Sequence, residues 1–455
     1  MVATLPLFAQ SANPAWQLSD ADAGQSTVVD VRDDGSYLVY AEEGKKSVLR
    51  DYGPDHRLRR ESTNKYRADG DAFLPEVFLA TRSQRFAVGY SYDRRGDRTM
   101  IYAGEVGPRG ITGIRRRYTL TGPVGDAPAG QVEITATADR QSILLADTRR
   151  TEGDVLTVSV FDSNFVYRWR QSVPLPDGTA VAGIRQTLLA NSGTVFALAT
   201  AGNELQVLAL TEQDQLTRTL QLGSGHAVSD ARLILTDDAR QPVALSGLYT
   251  QSGVPAGVFH LRLSADLTVL STSRTPFHAT ASCDGATGTI DNAVVLPDGT
   301  VWTFLGNHRQ DEASAADPAN GTDCDLLVFR HDRNGDLIGQ FTLPRTLRPG
   351  NVATAYNVFV RDNRVYVRFA ERLDPAADPG ASADTKLMQH TLITLNFEGE
   401  ILDRQPLSYF KPKARTAAFA SSTYVVEASV LFMLESRRAS RFATLRIPEV
   451  SFANN

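Results

Sequence analysis

The chain has 455 residues, a net charge of −5, 42% hydrophobic and 22% charged residues, which describes a folded chain and excludes a disordered or collagen-like one. It carries no overall attraction to nucleic acid or to an anionic membrane, and no apolar run is long enough to cross a bilayer. Charge is unevenly spread: residues 44–118 hold 17 Lys/Arg against 9 Asp/Glu, so that stretch is +8 and the remainder −13.

At the N-terminus, "ATLPLFA" followed by Gln10 reads as the end of a secretory signal, a short apolar core before a small residue. The alternative is a frayed terminus. On the first reading residues 1–10 are a signal remnant, residues 11–455 form one domain, and the protein works outside the cytoplasm, periplasmic, outer-membrane-associated or secreted, with a cytoplasmic location left open. No cysteine lies near this segment to carry a lipid anchor.

From residue 26 onward the chain alternates between two kinds of hairpin. The first kind runs "STVVDVRDDGSYLVYA", "EVFLATRSQRFAVGY", "VEITATADRQSILLA", "QTLLANSGTVFALAT", "ARLILTDDARQPVALSGLY", "AVVLPDGTVWTFLGN", "YNVFVRDNRVYVRFA" and "TAAFASSTYVVEASVLFML". Each pairs two alternating apolar runs across a turn rich in Gly, Asn and Asp. A second hairpin follows in five of the copies, with turns near Asn164, Asp214, Asp266, Asn334 and Glu398, spaced 50, 52, 68 and 64 residues apart. The two long spacings contain the inserts "RQDEASAADPANGTD" and "RLDPAADPGASADTK". Four short strands repeated at this period predict a β-propeller of four-stranded antiparallel blades, because one such sheet cannot bury its faces alone. Eight blades are expected, or seven if residues 27–70 or 416–449 are misread. The last copy runs out of chain after its third strand, so "PAWQLSD" near the N-terminus is expected to supply the fourth and close the ring.

The wording "LPDG…DRNGDL" in blades 5–7 resembles the repeats of secreted bacterial propeller proteins of the delta-60 type. That resemblance covers about a third of the chain and implies the fold and an extracytoplasmic setting, with no activity attached. Other propeller families are contradicted by the residues. There is no Gly-His…Trp-Asp pattern, there are no Gly-Gly doublets, and the three tryptophans are too few for a quinoprotein's docking motifs.

In such a propeller the connections between second and third strands emerge on the same face as those between blades. Both inserts, Arg309–Asp323 and Arg372–Lys386, are of the first kind and lie in neighbouring blades. Their carboxylates, among them Asp311, Glu312, Asp317, Asp374, Asp378 and Asp384, form solvated acidic loops or a weak Ca²⁺ site. Cys283 enters blade 6 on that face and Cys324 ends its insert; as the only two cysteines they are expected to form a disulfide pinning the insert. His278, Asp284, His308 and Asp311 gather around this bridge without the spacing of a metal motif, and no metal or other cofactor is expected. "HDRNGDL" has Leu337 where a Ca²⁺ loop requires Gly, and reads as a hairpin turn. Arg59, Arg60, Arg115, Arg116 and Arg117 fall on outer strands of blades 1 and 2, as a solvated edge that discourages sheet pairing or as a dock for an acidic partner.

No nucleophile elbow, phosphate loop or Cys/His metal spacing occurs in the chain. The expectation is a non-enzymatic protein that binds a protein or glycan through the insert-bearing face, with no nucleic-acid partner. The alternatives are a polysaccharide hydrolase or lyase with axial carboxylates, and a structural subunit of a cell-envelope complex.

Overall fold

The computed structural model describes residues 16–17, 26–32, 34, 36–43, 46–54, 57–122, 132–148, 155–174, 184–201, 204–223, 225–236, 238–277, 287–308, 326–344, 356–361, 363–372, 388–410, 423–426, 429–436 and 439–446. They build eight four-stranded antiparallel sheets, the blades of a β-propeller, and no helix. The strands of each blade are lettered A to D from first to last. Blade 1 is Ser26–Val31, Tyr37–Glu43, Lys46–Tyr52 and Leu58–Asn64. Blade 2 is Val77–Ala80, Arg85–Asp93, Arg98–Gly107 and Gly110–Thr121. Blade 3 is Val132–Ala136, Ser142–Asp147, Val155–Asp162 and Tyr167–Pro174. Blade 4 is Ile184–Leu189, Val195–Ala201, Glu204–Leu210 and Gln215–Leu220. Blade 5 is His226–Leu235, Val243–Gln251, Val254–Leu263 and Val269–Pro276. Blade 6 is Thr287–Val295, Val301–His308, Leu326–His331 and Leu337–Leu343. Blade 7 is Tyr356–Arg361, Arg364–Arg372, Met388–Leu395 and Ile401–Phe410.

Blade 8 takes Thr423–Val426, Ser429–Ser436 and Ala439–Arg446 from the C-terminal region and its outer strand, Trp16–Gln17, from the N-terminal one. Trp16 pairs with Phe442 and Gln17 with Arg441, so the expected closure by both ends of the chain is what forms.

The core lies between blades. One apolar cluster joins blades 1 and 2 through Tyr40, Leu49, Tyr102 and Ile111; another joins blades 4 and 5 through Phe196, Leu198, Leu245 and Phe259. Strands sandwiched on both faces are almost entirely apolar, as in Leu205–Leu210 of blade 4, where Gln206 is the one polar residue. The D strands are exposed and polar, and blade 5 alternates along Val269–Pro276. The A strands of successive blades approach one another, which places them around the axis and the D strands at the rim.

The C-D turns share one construction. In blades 3, 5, 6 and 7, Phe165, Leu267, Gly335 and Gly399 donate to the carbonyl three residues back, each with a left-handed backbone (φ 62, 62, 90 and 90°). A type I turn followed by one left-handed residue matches the twist of the hairpin strands. Glycine suits that position, yet blades 3 and 5 use Phe165 and Leu267, both buried, so apolar burial outweighs about 1 kcal/mol of backbone strain.

Candidate functional site

Three kinds of polar site emerge from this frame: one end of the propeller, its inner strands and its rim.

The turn end is sewn together between neighbours. Arg262, on strand C of blade 5 and only 2% exposed, donates to Gly299 O (2.8 Å) and Asp332 O (3.1 Å), one in each turn of blade 6. Arg330 of blade 6 donates to Glu398 O in the C-D turn of blade 7. Ser83 of blade 2 donates to Ser163 O of blade 3, and Asp139 N of blade 3 to Asn191 of blade 4. Within "HDRNGDL", Asp332 Oδ1 accepts from Asn334 N and Asp336 N, so this carboxylate organises the hairpin turn.

The opposite end carries the B-C and blade-to-blade connections. Between strands B and C the chain spans 44–45 in blade 1, 94–97 in blade 2 and 252–253 in blade 5, but 309–325 in blade 6 and 373–387 in blade 7. Both long connections therefore leave adjacent blades at the same end, with the second starting one residue later than expected because strand B of blade 7 extends through Arg372. His308 is the last residue of strand B in blade 6 and its backbone pairs with Thr287. His278, Cys283, Asp284, Asp311, Glu312, Asp317, Cys324, Asp374, Asp378 and Asp384 lie outside the described residues. Among the described residues no three His, Cys, Asp or Glu side chains gather as a metal site.

Along the inner strands, charged groups are bound to the next blade. Arg85 Nε of blade 2 donates to Asp30 of blade 1 at 2.7 Å. Thr187 of blade 4 donates to Glu133 of blade 3 (2.8 Å), and Arg185 pairs with Asp230 of blade 5 (3.0 Å). Asp230 also accepts the backbone N–H of Ile290 in blade 6 at 2.8 Å. The A strands of blades 1, 4, 5 and 6 share a bulge within two residues of their centre, and Asp30 and Asp230 border it in blades 1 and 5. A bulge re-aims a side chain, here towards a neighbouring blade.

Between blades 5 and 6 lies a buried imidazole pair. His260 and His331, both 0% exposed, stack with centroids 4.4 Å apart and planes 9° from parallel. Thr303 donates to Ser246 (3.0 Å), whose hydroxyl meets His260 Nδ1 at 2.7 Å. Burial holds His260 well below the usual histidine range and His331 at about 4, with Arg262 beside both; both rings are neutral at pH 7.

At the rim, the sequence-predicted arginines are where they were expected: Arg59 and Arg60 on strand D of blade 1, Arg115, Arg116 and Arg117 on that of blade 2. Arg117 is half-buried, its guanidinium 5.6 Å from the Phe86 ring and 6.0 Å from Phe165, and desolvation followed by repulsion from Arg115 lowers its pKa. Sequence reasoning missed Arg168 and Arg170, which continue the series on strand D of blade 3. It also missed how they are displayed. In blade 1 Leu58 pairs with Tyr52 and Arg60 with Asp51, leaving Arg59 as an extra residue bulged from the ladder. Arg168 is the extra residue in blade 3 and Arg117 in blade 2. The corresponding extra residue is Leu270 in blade 5, Ile338 in blade 6 and Leu402 in blade 7, about half exposed in each case. The detectable signal was the second D-strand residue after each C-D turn, basic in blades 1 and 3 and aliphatic in blades 5–7.

No protein-family model matches the chain, and no curated protein matches it in sequence. Solved structures match in fold. The β-propeller domain of the Trilobed protease from Pyrococcus furiosus is 8% identical, with 87% of this chain and 96% of that one covered and a TM-score of 0.38. A quinohemoprotein alcohol dehydrogenase from Pseudomonas putida is 12% identical, with 94% and 77% covered and a TM-score of 0.43. A polysaccharide lyase is 9% identical, with 85% and 94% covered and a TM-score of 0.42. The chain spans about half the length of the prolyl endopeptidase that it matches. At these identities the likeness is one of β-propeller fold alone, and none of these matches bears on the delta-60-type wording of blades 5–7.

Proposed function

We propose that this is a non-catalytic β-propeller of the extracytoplasmic space that engages a protein or glycan partner through the face carrying residues 309–325 and 373–387. The observation that carries the reading is the contrast between the two ends. One end has short turns cross-braced by Arg262 and Arg330; the other sends two long connections from adjacent blades. Variable loops on a braced frame are how rigid scaffolds present binding surfaces. The Cys283–Cys324 bridge belongs to this proposal, as the pin that fixes the blade 6 connection, and residues 11–455 are its single domain.

The polysaccharide hydrolase or lyase reading needs an acid and a base free to exchange protons. Glu133 and Asp230, the described carboxylates on the inner strands of blades 3 and 5, are each bonded to a neighbouring blade, which does not favour it. The envelope-subunit reading draws instead on the rim arginines.

Deletion of residues 311–322 tests the main reading. The variant should keep the thermal midpoint of the parent and lose the partner that crosslinks to these connections in the native envelope. A deletion variant that captures the same partner with the same yield removes it. Peptide mapping without reductant should recover Cys283 and Cys324 in one linked fragment.

A further inference from the structure

Five arginines of the ring are matched to carboxylates: Arg85 to Asp30, Arg32 to Asp51, Arg50 to Glu61, Arg98 to Asp93 and Arg185 to Asp230. The D strands of blades 1–3 instead concentrate arginines, two, three and two in turn, against one on that of blade 4. Arg59, Arg60, Arg115, Arg116 and Arg170 are exposed and form no ion pair with a described residue, while Arg168 reaches Asp162 only at 4.0 Å. The D strands of these three blades contain no lysine, and their one carboxylate, Glu61, is held by Arg50. Lysine suffices to protect a sheet edge; a run built from arginine alone offers planar forks that match carboxylate and sulfate groups.

These forks stand at one height. Arg60 faces Asp51, which faces Leu38, the second residue of its B strand. Arg115 traces through Ala103 to Val88, and Arg170 through Ser159 to Leu145, each the fourth residue of its B strand. The three therefore lie within two residues of one level, roughly 7 Å along the strands. Between blades 2 and 3, on the same rim, Tyr167 is 50% exposed and stacks on Tyr118 with centroids 6.2 Å apart and planes at 14°.

We propose that this arc is a docking surface for an acidic polysaccharide, laid around the circumference from blade 1 to blade 3. The surface is separate from the loop-bearing end and does not depend on that reading. Charge complementarity selects an anion, and the arrangement selects its shape. Blades 1 and 3 are two steps apart in a ring of eight, a quarter of the circle, so Arg60 and Arg170 sit on faces at right angles, which a flexible chain follows better than a flat membrane. An acidic peptide adding to a sheet edge would run along one D strand and use one blade's arginines. The exposed face of Tyr167 gives a sugar ring an apolar surface amid the cations.

Binding of polygalacturonate and of dextran sulfate to the full chain, followed calorimetrically at two salt concentrations, tests this. Binding to at least one of them is expected, weakening as salt rises, with neutral dextran inert. Arg59→Ser with Arg60→Ser, Arg115→Ser with Arg116→Ser, and Arg168→Ser with Arg170→Ser should each weaken it about tenfold, with unchanged thermal midpoints. Replacing the same pairs by lysine should weaken it several-fold despite the retained charge. Deletion of residues 311–322 should leave it intact, which separates failure of this surface from failure of the loop face. The proposal falls if neither glycan binds, if the serine or lysine variants bind like the parent, or if polyglutamate or single-stranded DNA binds through the same arginines at least as tightly.

Discussion

The inner strands and the rim are both rich in charge, and they treat it in opposite ways. On the inner side Asp30, Glu133 and Asp230 each receive a donor from a neighbouring blade, so charge there joins one sheet to the next. On the rim of blades 1–3 Arg59 and Arg168 stand at bulges, and Arg59, Arg60, Arg115, Arg116 and Arg170 are exposed with no ion pair to a described residue. A blade's A strand has neighbours on both sides, and an unpaired charge among them would cost desolvation. A D strand faces water, where an unmatched charge costs little. Composition alone therefore says nothing of role; position along the blade's radius decides it.

The contrast should be largest where backbone space is limiting. A Cβ on Gly247, in strand B of blade 5, would stand 2.1 Å from the Phe259 ring and 2.6 Å from Asp230 O. The ring belongs to the core between blades 4 and 5 and has no room to swing away. Gly247→Ala is expected to cost about 3 kcal/mol, read from the urea midpoint. Phe259→Ala should cost 3–5 kcal/mol by a different route, leaving a cavity, as core phenylalanines of this kind do (about that range). The double variant should lose less than the sum, because removing the ring relieves the clash at one of its two points. Strict additivity would mean that the Asp230 carbonyl alone sets the Gly247 requirement.

Acid is the next probe. His260 and His331 stay neutral inside the ring, while in the unfolded chain they titrate near the ordinary histidine value of 6.5. Below that value the unfolded state binds protons that the folded state refuses, so stability is complete above pH 6.5 and falls as the pH drops towards about 4. His331 alone accounts for about 3 kcal/mol across that window, with His260 acting in the same direction. The charged neighbours are Arg262, which opposes protonation of both rings, and Asp332, which favours it at His331. Paired His260→Gln and His331→Gln should flatten the pH dependence between 6.5 and 4 relative to the parent. An unchanged slope would assign the acid sensitivity to carboxylates. Asp230→Ala comes third, at about 2 kcal/mol, since it strands the buried Ile290 N–H and releases a half-exposed Arg185.

The blade count, the closing strand and the C-D turns of blades 3–7 were legible in the chain because they depend on local signals: alternation, turn residues and period. The inner wiring was not, because Asp230 meets Arg185 and Ile290 only after three separate repeats are stacked. The His260–His331 pair was hidden for the same reason; its members lie on strand C of successive blades and look like surface polar residues in either strand alone. The turns near Asn164 and Asp266 were placed, but not that Phe165 and Leu267, where a glycine would be easier, are left-handed residues plugging the core. The rim arginines of blades 1 and 2 were visible as a charge cluster. Their continuation into blade 3 was not, because Arg168 and Arg170 stand apart in sequence and join the others only by register.

The smallest expected effect is at the far side of the rim, and it is the most discriminating for the same comparison. Leu270, Ile338 and Leu402 occupy the bulge that Arg59 and Arg168 occupy in blades 1 and 3, and each stands about half exposed. If the bulge is simply a place where any side chain is tolerated, Leu270→Ser, Ile338→Ser and Leu402→Ser should each change stability by less than about 0.5 kcal/mol, as surface changes do. The same should hold for Arg115→Ser. Aliphatic residues repeated at one position on three consecutive blades also set one exposed apolar side chain on each, the kind of feature that can associate. Measuring the midpoints at two protein concentrations separates the cases. Equal, small shifts at both concentrations fit a bulge that tolerates either chemistry. A loss above about 1 kcal/mol that appears only at the higher concentration would mean that the aliphatic side chains are covered by a second copy of the chain. The rim would then hold two surfaces, with the basic arc facing solvent and the aliphatic arc facing itself.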